Sequence, residues 1–146
     1  MKKQTTSRDS ADGWPQQHKF RFLVDRSLHP NLARGLRKFG YGALLLRDVY
    51  DDDGQHTPDV EWIADSARYG YVALTCNPTM FFVPHERDAI ERSGAKVISI
   101  SNAQQPRDGR ALIIGRHLVR IRNRAQRDGA CFWRIGPNDV ITYDIP

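Results

Sequence analysis

Apolar residues along this chain come in short runs separated by stretches with helical spacing. Phe20–Val24, Gly42–Leu46, Tyr71–Thr75 and Ala95–Ile100 are near-continuous apolar runs. Such runs suit parallel strands that are buried on both faces, and they predict four strands of an α/β sheet. Between the first two, Leu32, Leu36 and Phe39 recur at helical spacing and Gly40 supplies a stop, which predicts a helix over Pro30–Phe39. Thr57-Pro58-Asp59-Val60-Glu61 reads as a second helix start, with Thr57 as N-cap, Pro58 at the first helical position, and Trp62, Ile63 and Ala67 as the apolar face. A third helix is predicted over His85–Ser93. Before the second, Asp51-Asp52-Asp53-Gly54 marks a turn inside a polar loop that runs to Thr57.

The last third changes character. Asp108–Arg127 predicts the longest helix, with Ala111, Ile114, Gly115, Leu118, Ile121 and Ala125 on one side and Arg116, Arg120, Arg124 and Arg127 on the other. Arg122 projects from the apolar side and must snorkel, pair with a carboxylate or enter a cleft. Cys131–Ile135 and Val140–Ile145, separated by Gly136-Pro137-Asn138-Asp139, predict a closing hairpin.

Composition narrows the classes. At 146 residues the chain is long enough for one domain with a real core, assigned to 19–146. Residues 1–18 carry only Trp14 as a large apolar group and are expected to be a flexible tail. Twenty-two Lys and Arg against 17 Asp and Glu give a net charge of +5, which favours an anionic partner such as nucleic acid. The two cysteines, Cys76 and Cys131, exclude a disulfide scaffold and a CxxC zinc site. The histidines at 18, 29, 56, 85 and 117 lack ligand spacing and are expected at the surface. Trp62 and Trp133 are expected in the core, and Phe81 and Phe82 either in the core or stacked on unpaired bases. No apolar stretch follows Lys2 and Lys3 and no run is long enough to span a bilayer, so the expectation is a cytoplasmic protein with no membrane contact.

The candidate chemistry rests on acids at the ends of elements. Asp25 closes the first strand, where ligands of open α/β sheets collect. Asp59 begins the second helix and can face the same crevice, although an acid in a first helical turn also complements the helix dipole. Converging carboxylates repel unless a hard cation neutralises them, and Mg²⁺ needs only one or two of them with water and substrate oxygens. Glu61 points to another side of that helix and is the weaker candidate. After the third strand the chain carries an amide, Asn77, where another acid would be expected. The arginine row fits a phosphate backbone through bidentate contacts, or is simply a solvated face.

Phe22-Leu23-Val24-Asp25, followed by Leu32-Ala33 and Leu36 before Gly40, resembles the opening of PIN-like domains. Thr57-Pro58-Asp59-Val60-Glu61-Trp62 is similar to that family's threonine-proline-acid-x-glutamate-tryptophan helix start. Thr75-Cys76-Asn77, with Pro84 and Glu86, lines up with its threonine-x-aspartate strand end and proline-x-glutamate helix start. The likeness runs from about Phe20 to Ile100 and is nearest to the short PIN-like domains grouped with VapC-type toxins.

The resemblance implies a three-layer α/β/α sandwich around a mostly parallel sheet. It implies an endoribonuclease with Mg²⁺ or Mn²⁺ on clustered acids, acting as the toxin of a type II toxin–antitoxin pair, with RNA as substrate, an antitoxin protein as partner and a homodimer as a common assembly. By position Asp25 and Asp59 are the metal acids, and Asn77 is a neutral third ligand or orients a water. Arg116, Arg120, Arg124 and Arg127 would hold the RNA. The chain departs from the pattern at Asn77, usually aspartate, and at Cys76, often basic. An amide oxygen carries no charge and cannot act as a base. The alternative is therefore a catalytically inactive PIN-like module that binds RNA or a protein partner.

Overall fold

Each apolar run becomes a strand covered on both faces. The computed structural model describes residues 21–100, 109–138 and 140–144. The expected tail, residues 1–18, lies outside them. Strands β1 (Arg21–Val24), β2 (Gly42–Leu45), β3 (Tyr71–Thr75), β4 (Lys96–Ile100), β5 (Cys131–Ile135) and β6 (Val140–Asp144) form a single sheet in the order β2-β1-β3-β4-β5-β6. The first five are parallel, and β6 returns antiparallel to β5 as the predicted hairpin. Helices α1 (Asn31–Lys38), α2 (Leu46–Val49), α3 (Asp59–Arg68), α4 (Pro84–Ser93) and α5 (Gly109–Ala125) complete the described chain.

Alternation along the strands sorts the core into two layers. Phe22 and Val24 of β1 join Leu74, Ile98 and Trp133 under α1 and α5, which contribute Leu32, Leu36, Ile114 and Ile121. Leu23, between them in sequence, joins Ala73, Val97 and Phe132 under α3 and α4, which contribute Trp62, Ile63 and Ile90. The result is the expected α/β/α sandwich. Full burial of each large apolar side chain contributes roughly 1.5–3 kcal/mol, so both layers are needed to hold the sheet. Trp62 and Trp133 are core residues as expected, at 1% and 4% exposure. Among the described residues, no helix is long and apolar enough to cross a membrane.

The order of strands reverses at β1, which lies between β2 and β3. At such a switch point the connections leave in opposite directions and open a crevice beyond the strands' carboxyl ends. Asp25 is the first residue past β1 and still extends the ladder, donating its N–H to Leu74 O at 2.9 Å.

Two local readings change. The run Gly42–Leu46 is not all strand: Asp48 Oδ2 accepts the N–H of Leu45 at 2.8 Å and turns Leu46 into the first residue of α2. Thr57 does not cap α3. Pro58, with ψ of 150°, stands at the N-cap without a side-chain cap, so Asp59 becomes the first helical residue. The loop between α2 and α3 is held closed at Gly54, whose φ is +79° and where an added Cβ would lie 2.9 Å from Leu46 Cβ. Only glycine tolerates that combination.

Candidate active site at the carboxyl end of the sheet

Asp25 is buried, at 9% exposure, and its carboxylate is held on three sides. Oδ1 accepts the N–H of Arg26 at 2.7 Å. Oδ2 accepts the hydroxyls of Ser27 at 2.8 Å and Thr75 at 2.9 Å. A carboxylate has about four lone-pair directions, so the described partners leave one of them, on Oδ1, for another group. Ser27 Oγ also accepts the N–H of Cys76 at 3.1 Å, and Thr75 Oγ1 that of Asn77 at 3.1 Å. The loops after β1 and β3 are thus laced together around one acid. Thr75 was visible in the sequence only as part of the threonine-x-aspartate likeness, and nothing singled out Ser27, because hydroxyl residues in loops usually meet water or backbone.

Asp59 and a further acid complete the group. Asp59 Oδ1 accepts the indole N–H of Trp62 at 2.9 Å, so the buried tryptophan fixes the carboxylate's direction. In α4, Glu86 lies in the first turn at 7% exposure, and its Oε2 is buried without a hydrogen-bond partner. α3 ends at Arg68 just before β3 begins, and α4 at Ser93 just before β4, so each helix runs back across the sheet and its first turn lies at the carboxyl edge that Asp25 occupies. The electrostatics agree. Burial pushes the Glu86 carboxyl above its ordinary value, and the negative charges of Asp59 and Asp25 push it further, while neighbouring His85 works the other way. Glu86 was visible in the sequence only as part of the proline-x-glutamate likeness; spacing alone gave no reason to join it to Asp25 and Asp59.

The sign of this shift yields a stability prediction. With a folded pKa above the ordinary value of 4.5, ionised Glu86 costs the folded state stability, and the cost disappears as pH falls through the raised pKa. Glu86→Gln is therefore expected to raise the thermal midpoint of the metal-free protein at pH 7. The gain should shrink towards zero as the pH is lowered to about 4.5. Calorimetric melting across pH checks this, and an equal or lower midpoint at pH 7 would show that Glu86 is compensated.

Asn77 is placed differently from the acids. Its Oδ1 accepts both the N–H and the hydroxyl of Thr79, each at 3.0 Å. This is an Asx turn, in which the amide oxygen shapes its own loop. Half-buried Cys76 donates its thiol to Ser27 O at 3.3 Å. Phe81 is buried against Phe132 and Tyr143, whereas Phe82 is 55% exposed. Glu61 is exposed, as its place on the helix predicts.

The arginine row does not form a free face. Arg116 donates to Pro137 O at 2.9 Å and to Asn138 Oδ1 at 2.8 Å, and Arg120 lies 5.8 Å over the Trp133 ring. Arg124 is 5% exposed and donates to Asp144 Oδ1 at 2.7 Å, Gly129 O at 3.0 Å and Ala130 O at 2.9 Å. Its head group is turned into the protein at the amino end of β5, the edge opposite the acids. A helical wheel places Arg124 with the solvated arginines because it cannot see the β5–β6 hairpin folding over that side. Arg127 is exposed, and so is Arg122, which the periodicity had put on the apolar side. His117 corrects the expectation of surface histidines: it is 8% exposed and bonded to Gly136 O at 2.9 Å.

The donor set can be tested against a hard divalent cation. Asp25, Asp59 and Glu86 offer carboxylate oxygens at one edge of the sheet, and the buried, unpartnered Oε2 of Glu86 is the kind of group a cation would satisfy. Among the described residues no three of His, Cys, Asp and Glu stand as a ready cage for a metal. Mg²⁺ keeps several waters and uses one or two protein carboxylates, so the donors fit it in chemistry without caging it. A protein-family model described as PIN like domain matches residues 20–102, more than half of the chain. No curated protein and no solved structure matches it.

Proposed function

The chain belongs to the PIN-like domain family, and from that premise we propose that it is a divalent-cation-dependent endoribonuclease. The observation that carries the reading is Glu86, a buried acid with an unpartnered oxygen that feels the charges of Asp59 and Asp25. The charges of Asp59 and Asp25 raise the proton affinity of Glu86, and a cation bound there would relieve it. Asp25, Asp59 and Glu86 would hold Mg²⁺ or Mn²⁺. When bound, the cation supplies Lewis-acid polarisation of a phosphodiester and makes water a stronger nucleophile. Ser27 and Thr75 orient Asp25, Trp62 orients Asp59, and the first turns of α3 and α4 add their dipoles to the field at the substrate.

RNA is the proposed substrate. Arg116 and Arg120 keep exposed guanidinium groups that can meet its backbone while touching the hairpin, and Arg127 extends the same side. Arg124 is removed from that role by its burial. A toxin's role in a type II pair, with an antitoxin protein as partner and a homodimer as assembly, completes the proposal and has the family likeness as its support.

Asn77 favours a second reading, a catalytically silent module that binds RNA or a protein. Its oxygen is engaged with Thr79, which leaves the site one charge short. Calorimetric titration with Mg²⁺ and Mn²⁺, with RNA cleavage assayed on the same sample, separates the two. Saturable binding with metal-dependent cleavage supports the nuclease, and absence of both supports the silent module. Asn77→Asp retains an oxygen for the Thr79 turn and adds a charge. We expect it to tighten Mn²⁺ binding by about tenfold, the scale on which a supporting group changes metal affinity. Unchanged affinity would show that position 77 lies outside the site.

A further inference from the structure

Beside α4 the outer strands of the sheet carry an aromatic corner that the acids do not use. Phe81 and Phe82 end the single-turn helix Met80–Phe82, which lies between Asn77 and α4, and their side chains part there. Phe81 is buried, stacked on Phe132 and Tyr143, with Arg87 4.4 Å over its ring. Phe82 is 55% exposed. Its ring is nevertheless held: it stands nearly perpendicular to Tyr143 at 5.6 Å and to Phe81 at 5.9 Å, and its backbone N–H donates to Thr79 O at 2.9 Å.

A cation stands on the same face. Side chains of β5 alternate between the two layers, so Arg134 shares the side of the sheet that Phe132 faces. Across the hairpin Phe132 pairs with Tyr143, and Arg134 with Ile141, which is 43% exposed. Arg134 is half-buried, and among the described residues no acid pairs with it. Strand register carries this row back to the acids: Arg134 pairs with Ser99, Ser99 with Thr75, and Thr75 donates to Asp25 Oδ2. Two strand spacings, roughly 10 Å, separate Thr75 from Arg134.

We propose that Phe82 and Arg134 form a landing site for single-stranded RNA beside the acids, with a base lying on the Phe82 ring and a backbone phosphate on the Arg134 guanidinium. The proposal rests on the reading of RNA as substrate. Stacking needs only a π-face, so the site takes any base, but it needs that base free of its neighbours. In a duplex both faces of a base are already covered, so the site separates single strands from duplexes. Charge decides against an apolar protein partner. An apolar helix laid over Phe82, Tyr143 and Ile141 would bury the Arg134 charge without compensation, whereas a phosphate receives it bidentately. The net charge of +5 draws the same kind of polymer to the chain. An RNA strand leaving the acids along the edge of the sheet reaches Arg134 within a few nucleotides.

The test is fluorescence anisotropy of the full chain, in EDTA and across a range of salt, with a labelled single-stranded RNA of mixed sequence and with the same sequence as a duplex. The single strand is expected to bind more tightly. Phe82→Ala should weaken its binding by about tenfold, the scale of one lost base stack. Phe82→Trp should bind like the parent, and its tryptophan fluorescence should be quenched by the single strand. Arg134→Gln should weaken binding and lower the slope of log affinity against log salt by about 0.7, the value for one phosphate of a single strand. Equal affinity for the duplex, unchanged affinity in Phe82→Ala or unquenched fluorescence in Phe82→Trp would overturn the site. So would a parent protein that binds no RNA, which would leave this face to an acidic protein segment. Single-strand binding that depends on Phe82 and Arg134, without cleavage in Mg²⁺ or Mn²⁺, would keep the landing site and remove the nuclease reading. Metal-dependent cleavage that neither substitution slows would do the reverse.

Discussion

Asp25→Asn is expected to abolish metal-dependent RNA cleavage and to leave the fold intact. Losing a group that merely supports a metal ligand costs about 10–100-fold in affinity or activity, so replacing a ligand's charge should cost at least about a hundredfold. The fold survives because asparagine has the same shape. Its oxygen can accept the N–H of Arg26, and the hydroxyls of Ser27 and Thr75 can rotate to accept from its amide. A second readout separates lost charge from lost structure. Asp25 is one of the charges that hold the Glu86 carboxyl above its ordinary value, so in Asp25→Asn the Glu86 pKa should move down. Carboxyl-carbon NMR titration of Glu86 measures this. Persisting cleavage in the variant would remove Asp25 from the site, and an unmoved Glu86 would show that the two acids do not share a field.

How much of this was legible before the structure depends on whether a residue's role is set by its neighbours in sequence or in space. The strands were legible because alternate residues must enter different layers, and an apolar run is the only sequence that satisfies both. The hairpin followed from Gly136-Pro137 between two apolar segments. Asp25 was legible because a strand's end is a local feature with a known place in a parallel sheet. Its partners were not: Ser27 is only two residues on, but a serine in a loop carries no signal of its own, while Thr75 and Glu86 come from a strand end and a helix far along the chain. The family likeness recovered the segments holding Thr75 and Glu86 but gave neither residue a part in the site.

The errors at the other end of the molecule have the same origin. Helical spacing describes one helix in isolation, so it separates the faces of α5 but cannot say what covers them. The sheet covers one face. The β5–β6 hairpin reaches around to a second, and that is why His117 and Arg124 are buried although one is polar and the other charged. The exposed Leu112 and Val119, at 73% and 63%, show the converse: apolar residues on the side of the helix that nothing in the described chain covers.

Arg124→Met should be among the most destabilising single changes in the chain. Methionine replaces the aliphatic stem and preserves most of the packing, so the loss isolates the guanidinium. That group donates to the buried Ala130 carbonyl, to Gly129 O and to Asp144 Oδ1, joining the end of α5 to both strands of the hairpin. The ion pair itself is worth less than its 2.7 Å separation suggests, because the Asp144 side chain is 47% exposed. The larger part comes from the carbonyls, since an acceptor left buried without a donor costs about 1–3 kcal/mol. We expect a loss of about 3 kcal/mol, and a thermal midpoint lowered by about 10 °C.

The pH dependence identifies the cause. Partial burial raises the Asp144 carboxyl, but its hydrogen bonds from Arg124 and Trp133 outweigh this and hold it below the ordinary value of 3.8. A depressed folded pKa contributes stability that is present above the unfolded value and lost as pH falls through the folded one. The gap between Arg124→Met and the parent protein should therefore be widest near neutrality and narrow below about pH 4. Melting curves across pH measure it. If Arg124 instead served RNA, the variant would melt like the parent at every pH and lose only salt-dependent RNA affinity, and that result would return the whole arginine row to the substrate.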